Sequence, residues 1–291
     1  VETYHGLIFA SLSPDVPALA DHLGQARPLL DRFMQRSAIG GLRLVNGTHR
    51  MLIKANWKAS FDNATDGYHP ETSHASILSM TQARYGRGMS LSHFNGSPDD
   101  GPMYQLSLGN GHTFADQFPA MGDLWARVRP SPGDAAAVAE MKAALPDADV
   151  EAMLRDAPGP GMNLNIFPNL ITVGNQLVML EPIAPDRFVM IWYATSIEGA
   201  PDALNRIRMR IAEDFPNFGE PDDIDIWEKM QDGLAIPEAE WLDMSRGIET
   251  ERIDATTGIR WGKVSSDTGM RGYYREYRKL MAAGEPAGKG I

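Results

Sequence analysis

Apolar positions recur along the chain in two rhythms. Pro14 to Gly24 and Pro28 to Ser37 carry them at helical spacing, and Asn56 to Tyr68 does so with Trp57 and Phe61 four apart. The third of these helices is expected to stop at His69, because Pro70 follows and biases its predecessor away from the helical region. Pro132 to Ala144 and Asp147 to Asp156 read as polar surface helices, closed by the breaker Ala157-Pro-Gly-Pro-Gly161. Pro201 to Asp214, with Leu204, Ile207 and Ile211 on one face, Asp222 to Leu234 and Gly269 to Met281 complete the helical set. The second rhythm is that of strands. Leu164 to Phe167, Leu170 to Val173, Leu177 to Ile183 and Arg187 to Thr195 are short apolar runs bounded by turn residues, which predicts an antiparallel meander with Phe188, Met190, Trp192 and Tyr193 in its core. Earlier, Tyr4 to Phe9 reads as a buried strand, Gly40 to Lys54 as a hairpin turning at Asn46-Gly47, and Ser90 to Phe94 and Met103 to Leu108 as edge strands. Strands before and after the central helices predict one α+β domain over residues 1–291, an antiparallel sheet wrapped by helices.

Composition narrows the chemistry. The chain is 43% hydrophobic with a formal net charge of −11, and no stretch interleaves basic with aromatic residues, which argues against nucleic acid as a partner. Zero Cys removes disulfides, thiolate zinc sites, Cys nucleophiles and any iron–sulfur cluster held by the chain's own thiolates. The longest apolar stretches fall far short of the roughly 20 residues that cross a bilayer. With no signal-like N-terminus, a cytoplasmic chain without a membrane partner is expected. The missing initiator Met and an opening in mid-pattern suggest a chain cut from something longer. Gly86-Arg-Gly88 lacks the third glycine of a dinucleotide fingerprint, so no nicotinamide or flavin is expected.

The candidate chemistry lies at the end of the third helix. His69 and His74 stand five apart with Asp66 three before the first. Neutral imidazoles bind first-row divalent metals, and two with one carboxylate leave positions open for substrate or oxygen. On an unbroken helix five residues turn through roughly 140°, a poor chelate; the break at Pro70 removes that objection. The bland alternative is two helix-end histidines bonded to backbone. A third ligand must come from elsewhere, and Glu220-Pro-Asp-Asp-Ile-Asp-Ile-Trp227 offers Asp222, Asp223 and Asp225, although acidic residues also suit a helix N-terminus. His5, His22, His49, His93 and His112 are expected to be exposed.

Asn56-Trp-Lys58, Asp62-Asn63, Asp66-Gly-Tyr-His69 and His74-Ala-Ser76 together resemble the mononuclear-iron motif in the large subunit of Rieske-type aromatic-ring-hydroxylating oxygenases. The likeness extends over Tyr4-His-Gly-Leu-Ile-Phe9, Ile166-Phe-Pro-Asn-Leu170, Asp222-Asp223 and Arg271-Gly-Tyr-Tyr274 through Leu280-Met281, nearly the whole chain. The resemblance implies a helix-grip (Bet v 1-like) catalytic domain in which His69, His74 and Asp223 bind Fe(II). It implies that Asp66 bridges to a cluster histidine of a neighbouring subunit and that Asn63 stands near the open iron position. It also points to a substrate pocket from Met162, Leu164, Ile166, Phe215 and Phe218. The family's [2Fe-2S] Rieske domain needs cysteines this chain lacks, so that cluster is expected on a missing N-terminal domain or on another chain.

The activity so implied is hydroxylation of a small aromatic substrate with O2, typically to a cis-dihydrodiol, with monohydroxylation and demethylation as variants. A ferredoxin or reductase would supply electrons, and a homotrimer, with or without β subunits, is the expected assembly. A rival of another class is a metal-free module of the same fold that binds a hydrophobic ligand, and a zinc hydrolase at the same three ligands is a third option. Whether His69, His74 and Asp223 gather at one point separates the oxygenase from the binding module, and metal identity separates it from the hydrolase.

Overall fold

The computed structural model describes residues 1–35, 37, 39–85, 103–116, 134–157, 162–238 and 240–283. Glu2–Tyr4 (β1) and Leu7–Phe9 (β2) form a separate two-stranded hairpin rather than the single strand expected. The chain reverses there because His5 and Gly6 both take positive φ, 50° and 81°. Leu19–Leu23 (α1) and Arg27–Met34 (α2) are shorter than their patterns, α1 starting only after Pro17.

The Asn46-Gly47 pair does not turn a hairpin. Leu42–Ile53 (β3) is one long strand, and the pair sits in its bulge between Leu44 and Thr48, with Gly47 at φ 97°. The local turn signal is absorbed as an irregularity in a strand that pairs on both sides of it. Lys58–Thr65 (α3), Pro70–Ser73 (α4) and Ala75–Tyr85 (α5) follow. The expected strand Ser90 to Phe94 lies outside the described residues.

Tyr104–Gly109 (β4) and His112–Asp116 (β5) form a hairpin in the interior of the sheet, not at its edge. Ala135–Ala144 (α6) and Asp147–Asp156 (α7) pack Met141, Val150 and Leu154 on Leu204 and Ile207 of the later Asp202–Phe218 (α8), so these helices are less polar than expected. Met162–Ile166 (β6), Leu170–Val173 (β7), Gln176–Ala184 (β8) and Arg187–Ile197 (β9) are the predicted meander, with Phe188, Met190 and Trp192 buried. Glu220–Leu234 (α9), Arg252–Ile253 (β10), Arg260–Lys263 (β11) and Thr268–Ala283 (α10) close the chain.

Among the described residues, nine strands form one antiparallel sheet in the order β10-β11-β4-β5-β6-β7-β8-β9-β3. Strand residues alternate between its faces. One face packs under α1 and α2, with Leu23, Leu30, Phe33, Phe114, Leu164 and Ile166 in the core. The other packs against α3, α9 and α10 through Phe61, Phe167, Val178, Trp192, Trp227 and Tyr273. Helix α10 comes close to the sheet because it presents Gly269 and Gly272. A Cβ on Gly272 would press on the Ser107 hydroxyl and stand 2.5 Å from Ser107 Cβ. Gly272→Ala is therefore expected to cost about 1–3 kcal/mol by overpacking, read as a lowered urea midpoint; an unchanged midpoint would show that α10 can move away freely. No helix among the described residues is long and apolar enough to cross a membrane.

Candidate metal centre

Helix α3 ends where Asp66 turns extended, at ψ 141°, one residue before a glycine. Asp66 then caps the next turn: its Oδ1 accepts from the backbone N–H of Tyr68 at 2.6 Å and of His69 at 2.9 Å. Helix α3 thus stops at Thr65 and not at His69 as expected; Pro70 instead opens α4, with His69 in helical conformation as its N-cap, because a proline suits the first helical position. His74 follows at the end of that single turn. The short helix swings the second imidazole back toward the first, with ring centroids 5.5 Å apart.

The third group arrives from α9, which packs on both α3 and α4. Among the described residues one set of metal-ligating side chains converges: His69, His74 and Asp223, with ligand atoms all within 4.8 Å of one another. His74 Nε2 is 3.3 Å from Asp223 Oδ2. Asp223 is 1% exposed, and neither of its carboxylate oxygens has a hydrogen-bond partner. A buried carboxylate left so costs several kcal/mol of desolvation unless a cation compensates it. Two imidazoles and one carboxylate facing one point, His74 and Asp223 buried and His69 half-buried, are a donor set that fits Fe(II), with ligand positions to spare.

Each imidazole has a carboxylate at its Nδ1 side. Asp66 Oδ2 stands 3.4 Å from Nδ1 of His69, and Asp222 Oδ2 stands 3.6 Å from Nδ1 of His74. Neither contact is a hydrogen bond at these distances, and each places a negative charge beside a ring nitrogen. Asp222, a rival ligand on sequence grounds, thus lies behind His74, and Asp225 ion-pairs with Lys229 instead. Burial lowers the proton affinity of His74, but Asp223 and Asp222 outweigh it and hold the imidazole above the ordinary histidine range. Glu220, buried in the first turn of α9, is pushed well up by burial and by the Asp223 charge.

Helix α3 is anchored from α10. Asp62 accepts from the hydroxyls of Tyr273 and, at 3.1 Å, Tyr274. Burial raises the Asp62 carboxyl to about 7 despite those bonds. Asn63 lies half-buried on α3, outside the three-residue group.

Three of the five expected pocket residues, Leu164, Ile166 and Phe218, fall elsewhere. Leu164 and Ile166 face α1 and α2, on the side of the sheet away from α3, because the strand alternation turns Asn163 and Asn165 toward that helix instead. Asn165 Nδ2 donates to Thr65 Oγ1 at 2.8 Å. Phe218 is 62% exposed, and the side chains of Met162 and Phe215 lie outside the described residues. His93 also lies outside them. His112, expected at the surface, is buried in β5, where its Nδ1 accepts from the Phe167 N–H at 2.9 Å and its Nε2 donates to the His22 carbonyl at 2.7 Å. Its glycine-rich flanks hid a strand in the interior of the sheet.

Comparison with known proteins identifies relatives of the whole fold. The family model for the ring-hydroxylating alpha subunit, catalytic domain, matches residues 42–283. The chain is 30% identical over 261 residues to toluate 1,2-dioxygenase subunit alpha of Pseudomonas putida, covering 84% of this chain and 53% of that one. It is 28% identical over 253 residues to the 2-halobenzoate 1,2-dioxygenase large subunit of Burkholderia cepacia, covering 84% and 52%. The chain thus spans about half the length of these curated relatives. A naphthalene 1,2-dioxygenase with indole bound in its active site superposes with a TM-score of 0.70 at 25% identity, over 95% of this chain and 63% of that one.

Proposed function

The chain belongs to the family of ring-hydroxylating alpha subunits, catalytic domain, and on that premise we propose that it is an oxygenase domain holding one Fe(II) through His69, His74 and Asp223 and using O2 to hydroxylate an aromatic ring, in the main by cis-dihydroxylation. The observation that carries this reading is the buried Asp223 carboxylate, with two oxygens that no hydrogen bond satisfies, set against two imidazoles. A metal-free ligand-binding module gives no reason to keep that arrangement.

Bound iron would supply the redox chemistry that activates dioxygen. The chain's own residues do the rest. His69 and His74 would each offer one ring nitrogen to the metal, with the carboxylates of Asp66 and Asp222 beside the other. Burial and the Asp223 charge both favour the protonated form of Glu220, which disfavours a second negative charge beside Asp223. The aromatic ring would be oriented against the α3-facing side of the sheet, where Asn163 and Val173 stand, rather than against Leu164 or Ile166. Orientation matters because placement of the reacting carbons at the oxidant decides which are attacked.

Relatives named as large or alpha subunits of dioxygenases that act on toluate and 2-halobenzoate support an aromatic substrate and a multi-component enzyme. Electrons would come from a [2Fe-2S] Rieske cluster outside this sequence, itself served by a ferredoxin or reductase, and would enter through Asp66 beside His69. A homotrimer, alone or with β subunits, would bring that cluster to Asp66. The test is anaerobic loading with Fe(II), in competition with Zn(II), of the parent chain and of His69→Ala, His74→Ala and Asp223→Ala. About one iron per parent chain, lost in every variant, is expected; iron bound equally by the variants would sink the triad.

A further inference from the structure

The turn that carries His69 is gripped by a segment nearly 200 residues later in the chain. The Gly67 N–H donates to the Val264 carbonyl at 3.1 Å, and the approach is close enough that a Cβ on Gly67 would overlap the Val264 side chain and stand 2.8 Å from its carbonyl oxygen. Tyr68 is held twice. Its hydroxyl donates to Asp267 Oδ1 at 3.1 Å, and the Arg246 guanidinium lies 4.4 Å from the centre of its ring.

That grip is itself braced. The Asp267 N–H donates to the Arg246 carbonyl at 3.0 Å, closing the segment on itself. Arg271 of α10 donates to the carbonyls of Met244 and Arg246 and pairs with Glu251, which also accepts from Arg260. Residues 244–271 therefore form a frame, fixed to α10 and to the sheet, whose contact with the metal centre passes through Tyr68 and Gly67. Neither the Tyr68 hydroxyl nor Arg246 belongs to the three-residue ligand set.

We infer that Tyr68 is a positioning residue for the metal centre: its hydroxyl on Asp267 and its ring under Arg246 hold the Asp66–His69 turn at the angle that presents His69 to His74 and Asp223. The inference rests on the metal-centre reading above. A turn of four residues between two short helices has several backbone conformations, and locking one of them removes the ordering cost that metal binding would otherwise carry. Partners of this kind around a ligand histidine change metal affinity by roughly 10–100-fold when lost.

The experiment is Co(II) titration of the whole chain, followed by the visible d–d bands of the bound ion, with the thermal midpoint of each metal-free protein measured beside it. Tyr68→Phe keeps the ring under Arg246 and loses only the hydroxyl; Arg246→Gln removes an exposed cation and leaves its backbone carbonyl; Tyr68→Leu removes both contacts. We expect one Co(II) per parent chain, affinity about tenfold weaker in Tyr68→Phe, a smaller loss in Arg246→Gln and the largest in Tyr68→Leu. The d–d bands should shift at saturating metal, and the metal-free midpoint of Tyr68→Phe should stay near the parent's. Parent-like affinity and bands in Tyr68→Phe and Arg246→Gln would overturn the positioning role and leave the metal centre standing. So would a loss of affinity matched by an equal loss of metal-free stability, which would make Tyr68 a fold residue only. A parent that binds no Co(II) would overturn the metal centre and this inference together.

Discussion

Arg208→Met is expected to lower the stability of the folded chain by roughly 3–5 kcal/mol, the scale for breaking a buried, hydrogen-bonded charge. Arg208 is fully buried on α8. Its guanidinium donates to the Thr195 carbonyl at 3.2 Å, the Thr195 hydroxyl at 2.7 Å and the Ala157 carbonyl at 3.3 Å. It thus ties the end of β9 to the end of α7, two elements with no backbone pairing between them. Methionine matches much of the volume but donates nothing, so the Thr195 carbonyl and hydroxyl lose a buried donor, while the Ala157 carbonyl keeps only Asn175 Nδ2 at 3.3 Å. Arg208→Lys keeps the charge yet not the planar fork, and should fall between parent and Met variant. Thermal unfolding reads the effect as a drop of roughly 10 °C for a domain of this size. A loss below about 1 kcal/mol would mean that water or a neighbouring donor replaces the guanidinium.

The second large effect is a pH dependence centred on His112. Burial pushes this imidazole down to about 4, and its two ring nitrogens are both engaged in the neutral form, one donating and one accepting. In the unfolded chain it titrates near the ordinary value of 6.5. Above that value neither state binds the proton and the contribution to stability is complete. As pH falls from 6.5 toward 4 the unfolded chain takes up a proton that the folded one refuses, so stability declines by about 3 kcal/mol and levels off below 4. His112→Gln removes the titration. The difference in urea unfolding free energy between parent and variant should shrink as pH falls through this window. A difference that stays constant from pH 7.5 to 4.5 would show that the folded state protonates His112 readily.

Much of the architecture was legible in local pattern. β6 to β9 announce themselves by short apolar runs between turns, and α8 and α9 by their periodicity, because both signals are set by neighbours a few residues away. The errors lie where a local signal was overruled by a distant partner. Asn46-Gly47 carries a turn signal, yet β9 pairs with β3 on both sides of it and leaves the glycine a bulge to fill. His112 sits between glycine-rich turns and looks exposed, yet β4 and β6 flank its strand and α1 supplies the acceptor that buries its ring.

The same division runs through the candidate site. Asp66, His69 and His74 fall within one short stretch of chain, so their joint placement was readable from it. Which strand face looks at them was not, because both faces of the sheet are covered by helices and apolarity no longer marks one side. The polar residues Asn163 and Asn165 face α3 because its last turn offers the Phe61 and Ala64 carbonyls and the Thr65 hydroxyl to bond.

By itself the sequence determined the α+β composition, the histidine pair and the family motif around it, since each is written in residues close together. Residue spacing left Asp222, Asp223 and Asp225 open and the family resemblance pointed to Asp223; only the tertiary structure decided how they divide, with Asp223 at His74 Nε2, Asp222 on its Nδ1 side and Asp225 paired with Lys229, for successive residues on a helix point about 100° apart and packing of α9 on α3 and α4 sets that rotation. It also decided that Tyr68 meets Asp267 and Arg246. Those contacts join segments nearly 200 residues apart, and no periodicity in the chain encodes a distance of that kind.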